Sequence, residues 1–153
     1  MAGRTGKSLA RHLAFWDASA LVPLCVGQSA TPRAIALYKT YEAVVWWATP
    51  VEIASALARL VRMQQIDVTD CAKARRLAAS LADAWFVIQP SDALRAKAAQ
   101  LVDRYDLRAA DALQLAAALE WCRDVPQGRV FLTADQKLRD AAVLAGFDGR
   151  LLA

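Results

Sequence analysis

Histidine is nearly absent: the 153-residue chain has one, His12. A Ser-His-Asp or Cys-His triad needs an imidazole base beside its nucleophile, and this one sits in a basic N-terminal stretch that reads as frayed. Cysteine is almost as scarce. Cys25, Cys71 and Cys122 are odd in number, widely spaced and never arranged as CxxC. That excludes a disulfide framework and a zinc centre, and it fits a reducing cytoplasm. The six glycines form neither GxGxxG nor GxxxxGK, so no glycine-rich loop cradles a nucleotide phosphate. Long apolar runs are missing too. Arg4, Lys7 and Arg11 before an apolar run imitate a signal peptide, but Asp17 interrupts it at once. The longest uncharged stretch, 18–32, holds two prolines and falls short of the ~20 residues that cross a bilayer. No membrane partner is expected, and there are no repeats, low-complexity tracts or linkers.

Hydrophobic residues make up 57% of the chain and charged ones 22%, a globular composition that buries a core within one domain, 1–153. Residues 1–8 read as a loose basic lead-in. Lys and Arg exceed Asp and Glu to give a net charge of +4, which suits a polyanionic partner without demanding one.

The elements alternate. Residues 13–17 (LAFWD) read as a buried strand ending at an aspartate. Thr31-Pro32 offers a cap followed by proline, opening a helix to Tyr41. Residues 43–48 (AVVWWA) form a second strand. Thr49-Pro50 repeats the cap signal for a helix reaching Gln64, and Thr69 caps another over 70–84. Residues 85–89 (WFVIQ) make a third strand, Ser91 caps a helix to Tyr105, and a further helix covers 108–121. Residues 129–132 (RVFL) are a fourth strand, Thr133 caps a helix to Leu144, and 149–152 add an edge strand. This order predicts a three-layer α/β/α sandwich around a mainly parallel sheet. Active sites in such folds lie beyond the carboxyl ends of the strands, which singles out Asp17 and Asp135.

With nitrogen and sulphur ligands excluded, carboxylate remains, and oxygen-only sites favour hard ions such as Mg²⁺ or Mn²⁺. Four acids stand out, each with an ordinary alternative. Asp17 ends a buried strand, or caps the helix after it. Glu52 completes a T-x-x-E capping box with Thr49, or faces the sheet crevice. Asp111 lies among small apolar residues (AADALQLAAA) with Arg108 as its only local cation, so it is ion-paired or neutralised by a metal. Asp135 is an acid in a first helical turn, or a ligand. Four anions crowded together repel one another unless a cation intervenes. Arg108 and Lys137 are candidates for contacting a phosphate backbone, and otherwise are solvated or paired. Trp46-Trp47 reads as sheet core, with one indole able to reach a partner. The segments 18–30 and 32–41 read as core or as a partner surface.

Asp17-Ala-Ser19-Ala-Leu, Thr49-Pro-Val-Glu52-Ile-Ala-Ser-Ala-Leu, Leu107-Arg-Ala-Ala-Asp111-Ala-Leu-Gln-Leu-Ala and Phe131-Leu-Thr133-Ala-Asp135-Gln-Lys-Leu together resemble the PIN-domain ribonucleases, and most closely the VapC-type toxins of bacterial toxin–antitoxin pairs. The likeness runs from about Leu13 to Leu152. It implies a Mg²⁺- or Mn²⁺-dependent endoribonuclease, with Asp17, Glu52, Asp111 and Asp135 around the metal and Ser19 and Thr133 behind them holding carboxylates in place. It also implies an RNA substrate, a homodimer and a small cognate antitoxin over the groove. The rivals are a non-catalytic PIN-like binding module and a nuclease of RNA maturation or DNA processing. A receiver-like signalling domain is disfavoured, because Asp17 has no acidic neighbour and no strand ends in lysine.

Overall fold

Parallel strands have no hairpin to join them, so each must be followed by a crossover that covers one face of the sheet. The computed structural model, which describes residues 12–152, is built this way. Strands β1 (His12–Trp16), β2 (Tyr41–Trp46), β3 (Phe86–Ile88), β4 (Val130–Thr133) and β5 (Asp148–Leu151) form one all-parallel sheet in the order β3-β2-β1-β4-β5. Among the described residues seven helices cover it: α1 (Ala18–Cys25), α2 (Thr31–Thr40), α3 (Thr49–Arg62), α4 (Val68–Ala82), α5 (Asp92–Tyr105), α6 (Ala109–Trp121) and α7 (Gln136–Ala145). The expected basic lead-in, 1–8, lies outside the described residues. His12 is not frayed but opens β1 opposite Tyr41, exposed to solvent.

The alternation of strand side chains sorts the core into two layers. Phe15, Val44, Trp46 and Phe131 face α5, α6 and α7. Ala14, Trp16, Ala43, Val45 and Leu132 face α1 to α4. Phe15, Trp16 and Phe131 are fully buried, and each such side chain contributes roughly 1.5–3 kcal/mol by leaving water. Trp46 is core, but its neighbour Trp47, in the turn just past the end of β2, is 55% exposed. Cys25, Cys71 and Cys122 are free thiols. Among the described residues no helix is long and apolar enough to cross a membrane.

Several helix starts differ from expectation. The segment after Asp17 is the helix α1, whose Ala18, Ala20, Leu21 and Val22 are spent on the core. Thr31 and Thr49 are the first helical residues and cap nothing; Ala30 and Ala48 hold the cap positions. Thr31 instead donates to the Pro23 carbonyl at 2.7 Å. Asp67, not Thr69, caps α4, in a reciprocal box with Asp70. Ser91 caps α5 as expected, accepting from the Leu94 amide at 3.0 Å. Thr133 ends β4, and Asp135 caps α7.

The order of strands decides where chemistry can sit. From β1 the chain moves outward one way to β2 and β3, and the other way to β4 and β5. The crevice at that reversal lies over the carboxyl ends of β1 and β4.

Candidate metal centre

Asp17 occupies that crevice. Its backbone amide donates to the Leu132 carbonyl at 2.9 Å, which carries the β1–β4 ladder one residue past Trp16. The side chain is only 4% exposed and does not cap α1, so the ordinary explanation for this acid falls away. Oδ2 accepts from both the Ser19 and the Thr133 hydroxyls, the latter at 2.8 Å. Each hydroxyl has one proton, and Asp17 takes both. The 3.1 Å approach of Ser19 Oγ to Thr133 Oγ1 therefore has no proton to share. In return Ser19 accepts from the Ala134 amide at 2.9 Å and Thr133 from the Asp135 amide at 3.0 Å. The two hydroxyls brace the β4–α7 loop against the Asp17 carboxylate. Burial pushes the Asp17 carboxyl up, against the two hydroxyl hydrogen bonds that favour its charge.

Glu52 enters from the first turn of α3. It makes no capping box; its Oε2 accepts from the Gln114 amide of α6 at 2.8 Å. The same Nε2 reaches Thr49 Oγ1 at 3.2 Å. Thr49 and Gln114 are fully buried, and the other amide oxygen of Gln114 has no partner among the described residues. Desolvation first, and then the charges of Asp17 and Asp111, raise the Glu52 carboxyl to about 7, with the Gln114 hydrogen bond opposing.

Asp111 stands in the first turn of α6, not in its interior, so poor helix propensity does not single it out. Its surroundings do. The side chain is half-buried, and burial together with the charges of Asp17 and Asp135 raises it to about 6, while Arg108 and Lys137 pull the other way. No salt bridge joins it to Arg108; Lys137 is paired with Asp106 at 3.2 Å. Asp135 is exposed and caps α7 with its own carboxylate, accepting from the Leu138 amide at 2.8 Å.

The crevice thus brings Asp17, Glu52 and Asp111 within reach of one another's charge, with Asp135 beside Asp111. It does not close them into a cage: among the described residues no three His, Cys, Asp or Glu side chains approach closely enough to hold an ion by themselves. An all-protein Ca²⁺-type site is a poor fit. A small hard cation that keeps several of its waters and takes few carboxylates directly is a good one, since every donor is oxygen and, among the described residues, none of the four acids is in a salt bridge.

Gln114 and Thr49 escape a reading of the sequence. The only signal for Gln114 is a lone amide in an otherwise apolar run, three residues after Asp111.

No family model matches the chain, and no curated protein matches it in sequence. Solved structures do match in shape. A toxin–antitoxin complex from Klebsiella pneumoniae aligns with a TM-score of 0.57 at 17% identity, covering 81% of this chain and 88% of that one. FitAcB from Neisseria gonorrhoeae aligns with a TM-score of 0.60 at 18% identity, covering 88% of this chain and 96% of that one. At such low identity the likeness concerns the fold, and it places the five-stranded parallel sheet and its helices in the PIN-like α/β/α architecture.

Proposed function

We propose that the chain is a divalent-metal-dependent endoribonuclease that acts as the toxin of a toxin–antitoxin pair. The observation that carries this reading is Asp17: a buried carboxylate at the reversal of strand order, locked by two hydroxyls, with two further acids near enough to oppose its charge. A fold does not keep such a set for stability, because uncompensated burial of a charge costs several kcal/mol. Asp17, Glu52, Asp111 and Asp135 would hold Mg²⁺ or Mn²⁺, in part through water. When bound, the ion supplies an activated water at neutral pH and offsets charge on the phosphate.

The protein's own groups do the rest. Ser19 and Thr133 keep Asp17 from rotating, and Gln114 does the same for Glu52. Arg108, a cation within electrostatic reach of Asp111, would attract the phosphodiester, whereas Lys137 is already paired with Asp106. Histidine is not required. The similar Klebsiella pneumoniae structure is a toxin–antitoxin complex, which favours an antitoxin as the protein partner. A cytoplasmic location and a homodimer belong to the same reading.

Purified protein incubated with RNA and Mg²⁺ or Mn²⁺ should cleave it, and Asp17→Asn or Asp111→Asn should lower the rate by more than about 100-fold with unchanged circular dichroism. Expression of the parent should arrest growth, and neither variant should. Full cleavage by either variant removes the site. Cleavage of DNA in preference to RNA replaces the toxin reading with a DNA-processing one.

A further inference from the structure

A longer cleft is bordered by Glu52 together with Ser19, which holds Asp17. Its volume is about 740 Å³, and Ser19, Gln28, Glu52, Arg59, Arg62 and Arg108 are among the residues lining it. Glu52, Ser55, Arg59 and Arg62 follow one another at intervals of three or four residues, hence along one face of α3. At a rise of 1.5 Å per residue, Arg59 lies about 10 Å and Arg62 about 15 Å down the helix from Glu52. Positive charge thus continues away from the negative centre in a single direction.

These guanidinium groups are uncommitted. Among the described residues none of Arg59, Arg62 and Arg108 is paired with a carboxylate, whereas Arg95, Lys97, Lys137, Arg139 and Arg150 all are. Lack of a partner alone decides nothing, since exposed Arg76 on α4 has none either and does not line the cleft. What distinguishes the three is that they share one cleft with Ser19 and Glu52. No aromatic side chain lines it, so bases find no stacking platform there.

We propose that this cleft is the track for one arm of a single-stranded RNA, with Arg59 and Arg62 binding backbone phosphates to one side of the bond being cut. The assignment rests on the nuclease reading above and adds the path of the substrate to it. A strand severed near Asp17 must leave the crevice along some surface, and this is the basic one that continues from it. An acidic peptide would meet the same arginines but has no chemical reason to run on past Ser19 and Glu52. Contacts of this kind fix position and carry no base preference, so the arm adds affinity whatever its sequence.

Binding of a labelled single-stranded RNA of about 12 nucleotides is measured by fluorescence anisotropy in EDTA, which prevents cleavage, over a range of salt concentrations. Each single-strand phosphate contact contributes about 0.7 to the slope of log K against log salt. Arg59→Ala/Arg62→Ala should therefore flatten the slope by about 1.4 and weaken binding roughly tenfold per arginine at low salt. Arg59→Lys/Arg62→Lys should keep most of the slope, and Arg76→Ala should leave affinity and slope within error of wild type. An unchanged slope in the double alanine variant of a protein that still cleaves RNA overturns the cleft assignment alone. So does poly-glutamate competing as well as RNA, which transfers the cleft to an acidic protein. Wild-type protein that binds through these arginines yet never cleaves with Mg²⁺ or Mn²⁺ overturns the nuclease reading and leaves the track standing.

Discussion

Gln114 is a polar side chain wholly enclosed in the apolar middle of α6, and its one amide nitrogen serves two oxygens of α3. Turning the amide over would set its oxygen against the Glu52 carboxylate, so charge fixes the orientation. The cost is the other end, an oxygen with no hydrogen bond. Gln114→Leu removes both at nearly constant volume. The buried Thr49 hydroxyl and the Glu52 carboxylate lose their donor, so stability should fall by about 1 kcal/mol, lowering the melting temperature roughly 2–4 °C, while cleavage falls roughly 10–100-fold because Glu52 is free to turn. Glu52 also loses a hydrogen bond that favours its charge, so the rise of activity with pH should move to higher pH. A pH–rate profile beside a melting curve checks both; loss of stability with an unmoved profile would make Gln114 a packing residue only. Asp17 and Asp135 stand out in the sequence by their place after strands and Asp111 by its apolar neighbours, while Glu52 reads equally well as a capping residue. The Gln114 amide does not stand out, because its partner lies 62 residues away and no local pattern marks a contact of that kind.

At the scale of elements, hydrophobic runs located the strands and cap signals located most helix starts to within one or two residues, but the capping residue itself was often misassigned. Thr-Pro pairs were the misleading signal. In both, proline follows a threonine that is already helical, and the threonine hydroxyl serves a tertiary contact: Thr31 with the Pro23 carbonyl, Thr49 with Gln114. α1 was signalled only by Asp17 as a candidate cap, since an octapeptide apolar but for Ser19 and containing Pro23 shows no helical period. Asp135 is the case where cap and site coincide, and substitution can part them. Asp135→Ala removes the acceptor for the Leu138 amide and should cost about 1 kcal/mol, lowering the melting temperature by roughly 2–4 °C. Asp135→Ser restores an acceptor and should recover most of that stability. Neither should recover cleavage if the carboxylate serves the metal, and activity in the serine variant equal to wild type would reduce Asp135 to a cap.

Over the whole molecule, what no stretch of sequence encodes is adjacency. Asp17 meets Thr133 across 116 residues because β1 pairs with β4, not only with its chain neighbour β2. That pairing gathers the acids, and the gathering has a thermodynamic signature. Glu52 is raised from 4.5 to about 7 and Asp111 from 3.8 to about 6. Between the lower and the higher value the folded protein holds a proton that the unfolded chain has released. Stability from these groups therefore falls as pH rises through that window and is lost above about 7, the reverse of an ion-paired carboxylate. Both side chains are partly solvated, which screens much of the effect. In EDTA, Glu52→Gln/Asp111→Asn should match wild type only below the unfolded values of 3.8 and 4.5, draw ahead as pH rises, and melt roughly 2–4 °C above it at pH 8, a difference of about 1 kcal/mol. Mn²⁺ at pH 8 should then raise the wild-type melting temperature and leave the variant unmoved, since an ion bound only by the folded state stabilises it in proportion to its affinity. At pH 5 the same ion should do little, because protons already occupy the carboxylates it needs. Equal melting of the two proteins at every pH, with Mn²⁺ indifferent to both, would mean that these acids neither strain one another nor await a cation.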